Sequence, residues 1–198
     1  MPLISTLANA SARGYGMLGG FAALGDYQAI MTATVDSGGA SSITFSSIPS
    51  TFKHLQIRAM TKESGTGTGG PNMAMYFNSD STYTNYNAHY LNATGSGSLS
   101  SGNVQASGYN AYFGNTVTSN ASYANIYGAV VVDILDYAST AKNKTIRSLN
   151  GHDQNGSGEV TFNSAVWLST SAINAITLSV VGSSFAPGNT FALYGIKG

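Results

Sequence analysis

Cysteine is absent from the 198-residue chain, and charge is scarce. Without cysteine there is no disulfide framework, and no thiolate to hold a metal or attack a substrate. Eight Lys and Arg balance eight Asp and Glu, so charged residues make up 8% of the chain, against about 25% in an ordinary soluble domain. A net charge of zero supplies no field to capture nucleic acid or an anionic membrane, and neither partner is expected. No apolar run approaches the roughly 20 residues that span a bilayer. At the N-terminus no basic region precedes an apolar one and Arg13 interrupts the segment, so nothing marks secretion.

Small polar residues stand where the charges are missing. The 27 Ser, 19 Thr, 17 Asn and 24 Gly account for 87 of 198 residues. Ser and Asn compete for backbone hydrogen bonds and Gly costs entropy in a helix, so this composition favours strands and turns. With 42% apolar and 11% aromatic residues the chain can still fill a core.

Two textures divide the chain. Residues 1–26 are rich in Gly and Ala with single large apolar residues, among them Leu3, Ile4, Leu7, Tyr15, Met17, Leu18, Phe21 and Leu24. They read as an extended anchoring arm that buries those groups against a partner, or as an irregular segment packed on its own domain. From Tyr27 to residue 198 the period becomes two, with about ten candidate strands separated by turn residues, which predicts an all-β, antiparallel, jelly-roll-like β-sandwich. The run Ile126–Leu135 reads as a core strand, either buried on both faces or central in a sheet. The last two runs, flanking residues 182–189, read as a closing hairpin. Residues 92–112 read as a long surface loop whose aromatics, Tyr109 and Tyr112 with the adjacent Phe113, favour contact with a partner.

Little of the chain carries reactive chemistry. Gly65–Gly70 fits G-x-G-x-x-G, but Pro71 and a strand follow where a helix is required. Asp153–Gly158 imitates half a calcium loop, yet Ser164 occupies the position of the bidentate Glu, so a hairpin turn is the simpler reading. His54, His89 and His152 are too dispersed for a metal site, and no Ser lies in a nucleophile elbow. Asp133 and Asp136 sit three apart on a predicted strand, which separates their faces, while a distant pair such as Asp80 with Glu159 stays open as a hydrolytic couple. No catalytic residue, cofactor or metal is expected. The candidate binding residues are Tyr83, Tyr86, His89 and Tyr90, whose apolar rings and polar tips suit a sugar; filling a core or a subunit interface is the alternative.

Five segments, Ala10–Gly16, Ser41–Pro49, Phe52–Arg58, Asp133–Tyr137 and Phe191–Ile196, resemble segments of tailed-bacteriophage virion proteins of the tail-fibre, baseplate or appendage kind. That resemblance implies a virion subunit and a homo-oligomer, first of all a trimer, but no binding residue transfers from it. The arm's texture and the β-period after Tyr27 are what read as a non-enzymatic subunit that docks on other virion proteins by its arm, with Leu3, Ile4, Leu7, Arg13, Tyr15 and Phe21 as assembly residues and strand-end loops facing the host. A carbohydrate-binding receptor module and a capsid decoration protein are the alternatives. Residues 81–132 contain no Asp, Glu, Lys or Arg, so subunit contacts or a neutral ligand surface are expected there.

Overall fold

A computed structural model describes residues 26–65, 72–106, 108–119 and 121–198. The assembly residues Leu3, Ile4, Leu7, Arg13, Tyr15 and Phe21 lie outside them. The described chain forms twelve strands: β1 (Tyr27–Thr34), β2 (Ser42–Phe45), β3 (His54–Thr61), β4 (Asn72–Phe77), β5 (Tyr86–Thr94), β6 (Leu99–Val104), β7 (Ala111–Asn115), β8 (Gly128–Leu135), β9 (Lys144–Asp153), β10 (Gly158–Trp167), β11 (Ile176–Val180) and β12 (Thr190–Ile196). They build an antiparallel sandwich of an eight-stranded sheet, ordered β1-β12-β3-β8-β9-β10-β5-β6, and a four-stranded sheet, ordered β2-β11-β4-β7.

The topology becomes simple when two hairpins, β5–β6 and β9–β10, are set aside. The remaining eight strands pair first with last: β1 with β12, β2 with β11, β3 with β8 and β4 with β7. β12 also pairs β3, and β11 pairs β4, which completes two four-stranded sheets wound as a jelly roll. The two hairpins then pair with each other through β10 and β5 and extend one sheet from four strands to eight.

Alternation along the strands sets which side chains face inward. In β3, Leu55, Ile57 and Ala59 are buried, and in β8, Val130, Val132 and Ile134. They meet Phe45, Met73, Met75, Phe77 and Leu178 of the smaller sheet in one core. At one end of it, Tyr86, Phe77 and Trp167 cluster, with the Tyr86 and Trp167 rings stacked at 6.3 Å.

Four readings from composition need correction. β6 and the first two residues of β7, Ala111 and Tyr112, form inside the expected loop: the turn at Gly95–Ser98 lets Thr94 N–H donate to Ser98 C=O at 2.9 Å, and backbone pairing carries β6, whose side chains give no signal. β8 is central in its sheet, but it starts at Gly128, after a 3-10 turn at Ala121–Tyr123, and only alternate residues are buried, because no layer among the described residues covers its other face. β11 and β12 are not a hairpin. They lie in different sheets, and the connection between them buries Phe185 edge-on against Phe191, at 4.9 Å, instead of turning in solvent. Lys144, which ends the polar run Asp136–Lys144 that composition reads as an exposed turn before the next strand, is fully buried at the start of β9.

The turn after β8 holds the strongest exposed ion pairing among the described residues. The Asp136 carboxylate lies 2.7 Å from Lys142 Nζ and 3.0 Å from Lys53 Nζ. These ammonium groups hold its pKa down at about 2, below the ordinary carboxylate value of 3.8. Between those values the native state binds fewer protons than the unfolded chain, so the stabilisation is complete above 3.8 and is lost as pH falls through about 2. Asp136→Asn is expected to flatten the acid limb of urea midpoints measured across this window. An unchanged limb would contradict the assignment.

Candidate functional site

Registered rows across the large sheet show where the interior changes character. One inward row runs Ala33, Phe191, Ala59, Val130, Asn150, Thr161, Asn92, Ser100 from β1 to β6. The next runs Met31, Leu193, Ile57, Val132, Ser148, Asn163, Tyr90, Gly102. Both rows are apolar or small through the jelly-roll strands and mostly polar through the inserted hairpins. A polar layer therefore lies where β7 of the smaller sheet crosses over β9, β10 and β5.

Much of that layer is bonded to β7. Ser148 Oγ donates to Phe113 C=O at 2.9 Å, Asn150 Nδ2 to Asn115 C=O at 2.6 Å, and Asn163 Nδ2 to Ser148 Oγ at 3.1 Å. Gly114, at φ +131°, makes room for this: a Cβ there would stand 2.2 Å from Asn150 Oδ1. The acceptors Asn150 Oδ1, Asn163 Oδ1 and Glu159 Oε1 are buried without a protein partner. Buried acceptors of this kind are costly unless something donates to them.

The layer opens to solvent in a cleft of about 260 Å³. One wall carries Tyr90, Asn92 and Glu159, with Ser100 and Val104 of β6 at the rim; the other carries Asn72, Tyr109, Tyr112 and Asn115. Asn72 Nδ2 donates to Tyr109 Oη at 3.1 Å, and Tyr112 Oη to Asn115 Oδ1 at 2.9 Å. Asn92 Nδ2 donates to both Glu159 Oε2 at 3.0 Å and Thr161 Oγ1 at 2.8 Å. The Tyr90 and Tyr112 rings meet edge to face at 6.0 Å. Burial, reinforced by the charge of Glu159, raises the Tyr112 phenol, which stays a donor at neutral pH. Beside them, burial lowers the His152 imidazole from 6.5 despite the opposing carboxylates of Glu159 and Asp153, so it is neutral at pH 7. The cleft thus offers amides, phenols and one carboxylate, at a size slightly below the roughly 300 Å³ where drug-sized sites begin.

The four expected sugar-contact residues are not brought together. Tyr90 lines the cleft. Tyr86 is wholly buried in the aromatic core, accepting from Phe77 N–H at 3.0 Å and donating to Asp80 C=O at 2.8 Å, because its inward register position falls under the smaller sheet. His89, one residue from Tyr90 on β5, points to the opposite face of the sheet. Tyr83 sits on a separate 3-10 turn, Tyr83–Asn85. The distant carboxylates also stay apart: Asp80 accepts from Trp167 Nε1 at 2.8 Å, eight residues along β10 from Glu159, roughly 25 Å away and far outside hydrolytic spacing. Among the described residues no three His, Asp or Glu converge as a metal site would require.

Seven of the nine lining residues, Tyr90, Asn92, Ser100, Val104, Tyr109, Tyr112 and Asn115, fall in the charge-free stretch 81–132. Composition pointed to Tyr109 and Tyr112 as contact residues; Asn92, Asn115 and Glu159 carried no local signal that sets them apart from other polar strand residues. No family model, curated protein or solved structure matches the chain.

Proposed function

We propose that the chain is a non-enzymatic structural subunit of a tailed-bacteriophage virion, anchored to other virion proteins by residues 1–26, with a β-domain that receives a neutral polyhydroxyl ligand of the host surface. Sequence resemblance is the basis for the virion role and for association of copies, with a trimer as its implied order. The observation that carries the binding role is the cleft, where phenol and amide groups from two sheets converge beside unpartnered buried acceptors. Hydroxyl groups of a sugar donate to such acceptors and accept from such donors, and the Glu159 carboxylate is the single charged group among the lining residues.

The test uses particles carrying variant chains. Deleting residues 2–26 is expected to leave a folded domain that no longer joins the particle, and normal incorporation overturns the anchoring role. Tyr90→Ala and Asn92→Ala are expected to be incorporated normally but to lower host adsorption at least about tenfold, the loss of roughly 1.4 kcal/mol of binding. Tyr83→Ala, outside the cleft, is expected to adsorb as wild type. Unchanged adsorption in both cleft variants, with no hit for the purified chain on a glycan array at millimolar sugar, removes the ligand role. A labelled particle imaged with its label on the head, away from the tail, favours a capsid decoration protein instead.

A further inference from the structure

The outer face of the eight-stranded sheet, covered by no layer among the described residues, carries a second registered pattern. Leu91, Phe162, Leu149 and Val131 stand side by side on β5, β10, β9 and β8, spanning about 14 Å. Leu91, Phe162 and Leu149 are each about half exposed, and Val131 is 39% exposed. In the adjoining row Val160 is likewise half exposed, and Leu99 at its end is 76% exposed. Isolated exposed leucines need no explanation, but a contiguous patch of this size marks an interaction surface.

The surroundings of the patch say what fits it. Charge lies on the flank and not in the centre: Asp133 and Arg147 pair at 3.2 Å one row away, and Arg58 is held between the Tyr27 and Tyr194 rings at 5.8 and 5.6 Å. An apolar centre with a polar rim is the anatomy of a protein interface. Together with Met60, the patch offers roughly 700 Å² of side-chain surface, close to the roughly 800 Å² that each partner gives to a stable complex. A pleated sheet face is complemented by another sheet face about 10 Å away, and the zero net charge means that two copies do not repel.

We infer that two copies of this chain pack face to face through β5, β8, β9 and β10, the same patch on each, around a two-fold axis. This rests on the reading of the chain as an assembling subunit and names the surface by which copies meet; it replaces the three-fold order implied by resemblance with a pair. Leu149 and Phe162 sit at its centre, directly opposite each other on neighbouring strands. The polar cleft opens on the other face of β5 and β10, so pairing leaves it accessible.

Light scattering on the eluted full chain tests the inference, at about 100 μM because interfaces of this size extend down to micromolar affinity. The expected mass is twice 20.4 kDa. Leu149→Asp combined with Phe162→Asp is expected to weaken self-association at least about 100-fold and yield the monomer mass. Circular dichroism checks the fold, and Leu149→Ile with Phe162→Leu is expected to keep the pair. A single-chain mass for wild type, a three-chain mass, or a pair indifferent to the two aspartates overturns the inference. So does a pair that dissolves when residues 2–25 are deleted, which would make the arm the occupant. A monomer whose particle incorporation still needs the arm sinks this inference alone, whereas a pair with arm-independent incorporation sinks the anchoring role alone.

Discussion

Lys144→Met is expected to lower the unfolding free energy by about 3 kcal/mol, a fall in Tm of roughly 6–12 °C for a chain of this size. The reason is an ammonium group with no exposed surface that ties two connections together through three carbonyls. Lys144 Nζ donates to Ser139 C=O at 2.7 Å, Lys142 C=O at 2.8 Å and Thr170 C=O at 3.2 Å. Burial lowers its pKa from 10.5, which is the cost of holding a cation there, and the three carbonyls offset that cost. Methionine keeps the volume and removes the donors, so carbonyls from the β8–β9 turn and the segment after β10 lose their partner at once. Chemical denaturation of the purified variant measures the loss; a change below about 0.5 kcal/mol, the range of ordinary surface substitutions, would show that water replaces the ammonium without penalty.

Gly158→Ala is expected to cost as much or more, at least about 3 kcal/mol, and to act locally on the cleft. Gly158 opens β10 with φ +136°, and a Cβ there would lie 2.3 Å from the His152 carbonyl oxygen and 3.0 Å from Asp153 Cα. Backbone atoms cannot swing aside as a side chain can, so the β9–β10 turn must open. That displaces Glu159, the next residue, and its bond from Asn92. Gly156→Ala is the matched control: φ is +106°, but nothing lies within 4 Å of the added carbon, so only backbone strain of about 1–2 kcal/mol remains. Hydrogen exchange along β9 and β10 separates the two, with fast exchange expected only in Gly158→Ala. Equal protection in both variants would show that the turn absorbs the clash.

These two residues also show how far a sequence can be read. Period-two runs located ten of the twelve strands, since a half-buried strand such as Leu55-Gln56-Ile57-Arg58-Ala59 writes its inner face directly into the alternation. β6, Leu-Ser-Ser-Gly-Asn-Val, writes nothing, because an edge strand of mostly small polar residues is held chiefly by backbone bonds, which leave no apolar alternation in the sequence. The cleft was legible only as a region without charge. Its members come from β4, β5, β6, β7 and β10, and convergence across two sheets leaves no mark on residue spacing. Lys144 looked like any lysine of a polar turn, and nothing local says that three carbonyls enclose it. Tyr86 and Tyr90 looked equivalent; four residues apart on one strand, they share a face, yet one is wholly buried under the smaller sheet and the other stands at the cleft, half covered by Tyr112 of β7.

The position of β12 between β1 and β3 has a kinetic consequence. Among the described residues β1 has no other neighbour in the sheet, and Tyr27 pairs with Ile196, so the earliest described strand stays unpaired until the last one arrives. The same holds for β2, which waits for β11. Closing such distant pairs requires entropy to be surrendered before contacts reward it, which places folding among the slow, millisecond-to-second β-proteins. During that interval β1 and β3 present bare edges, and it is the rate of β12 insertion, more than final stability, that decides how much of a newly unfolded population escapes aggregation.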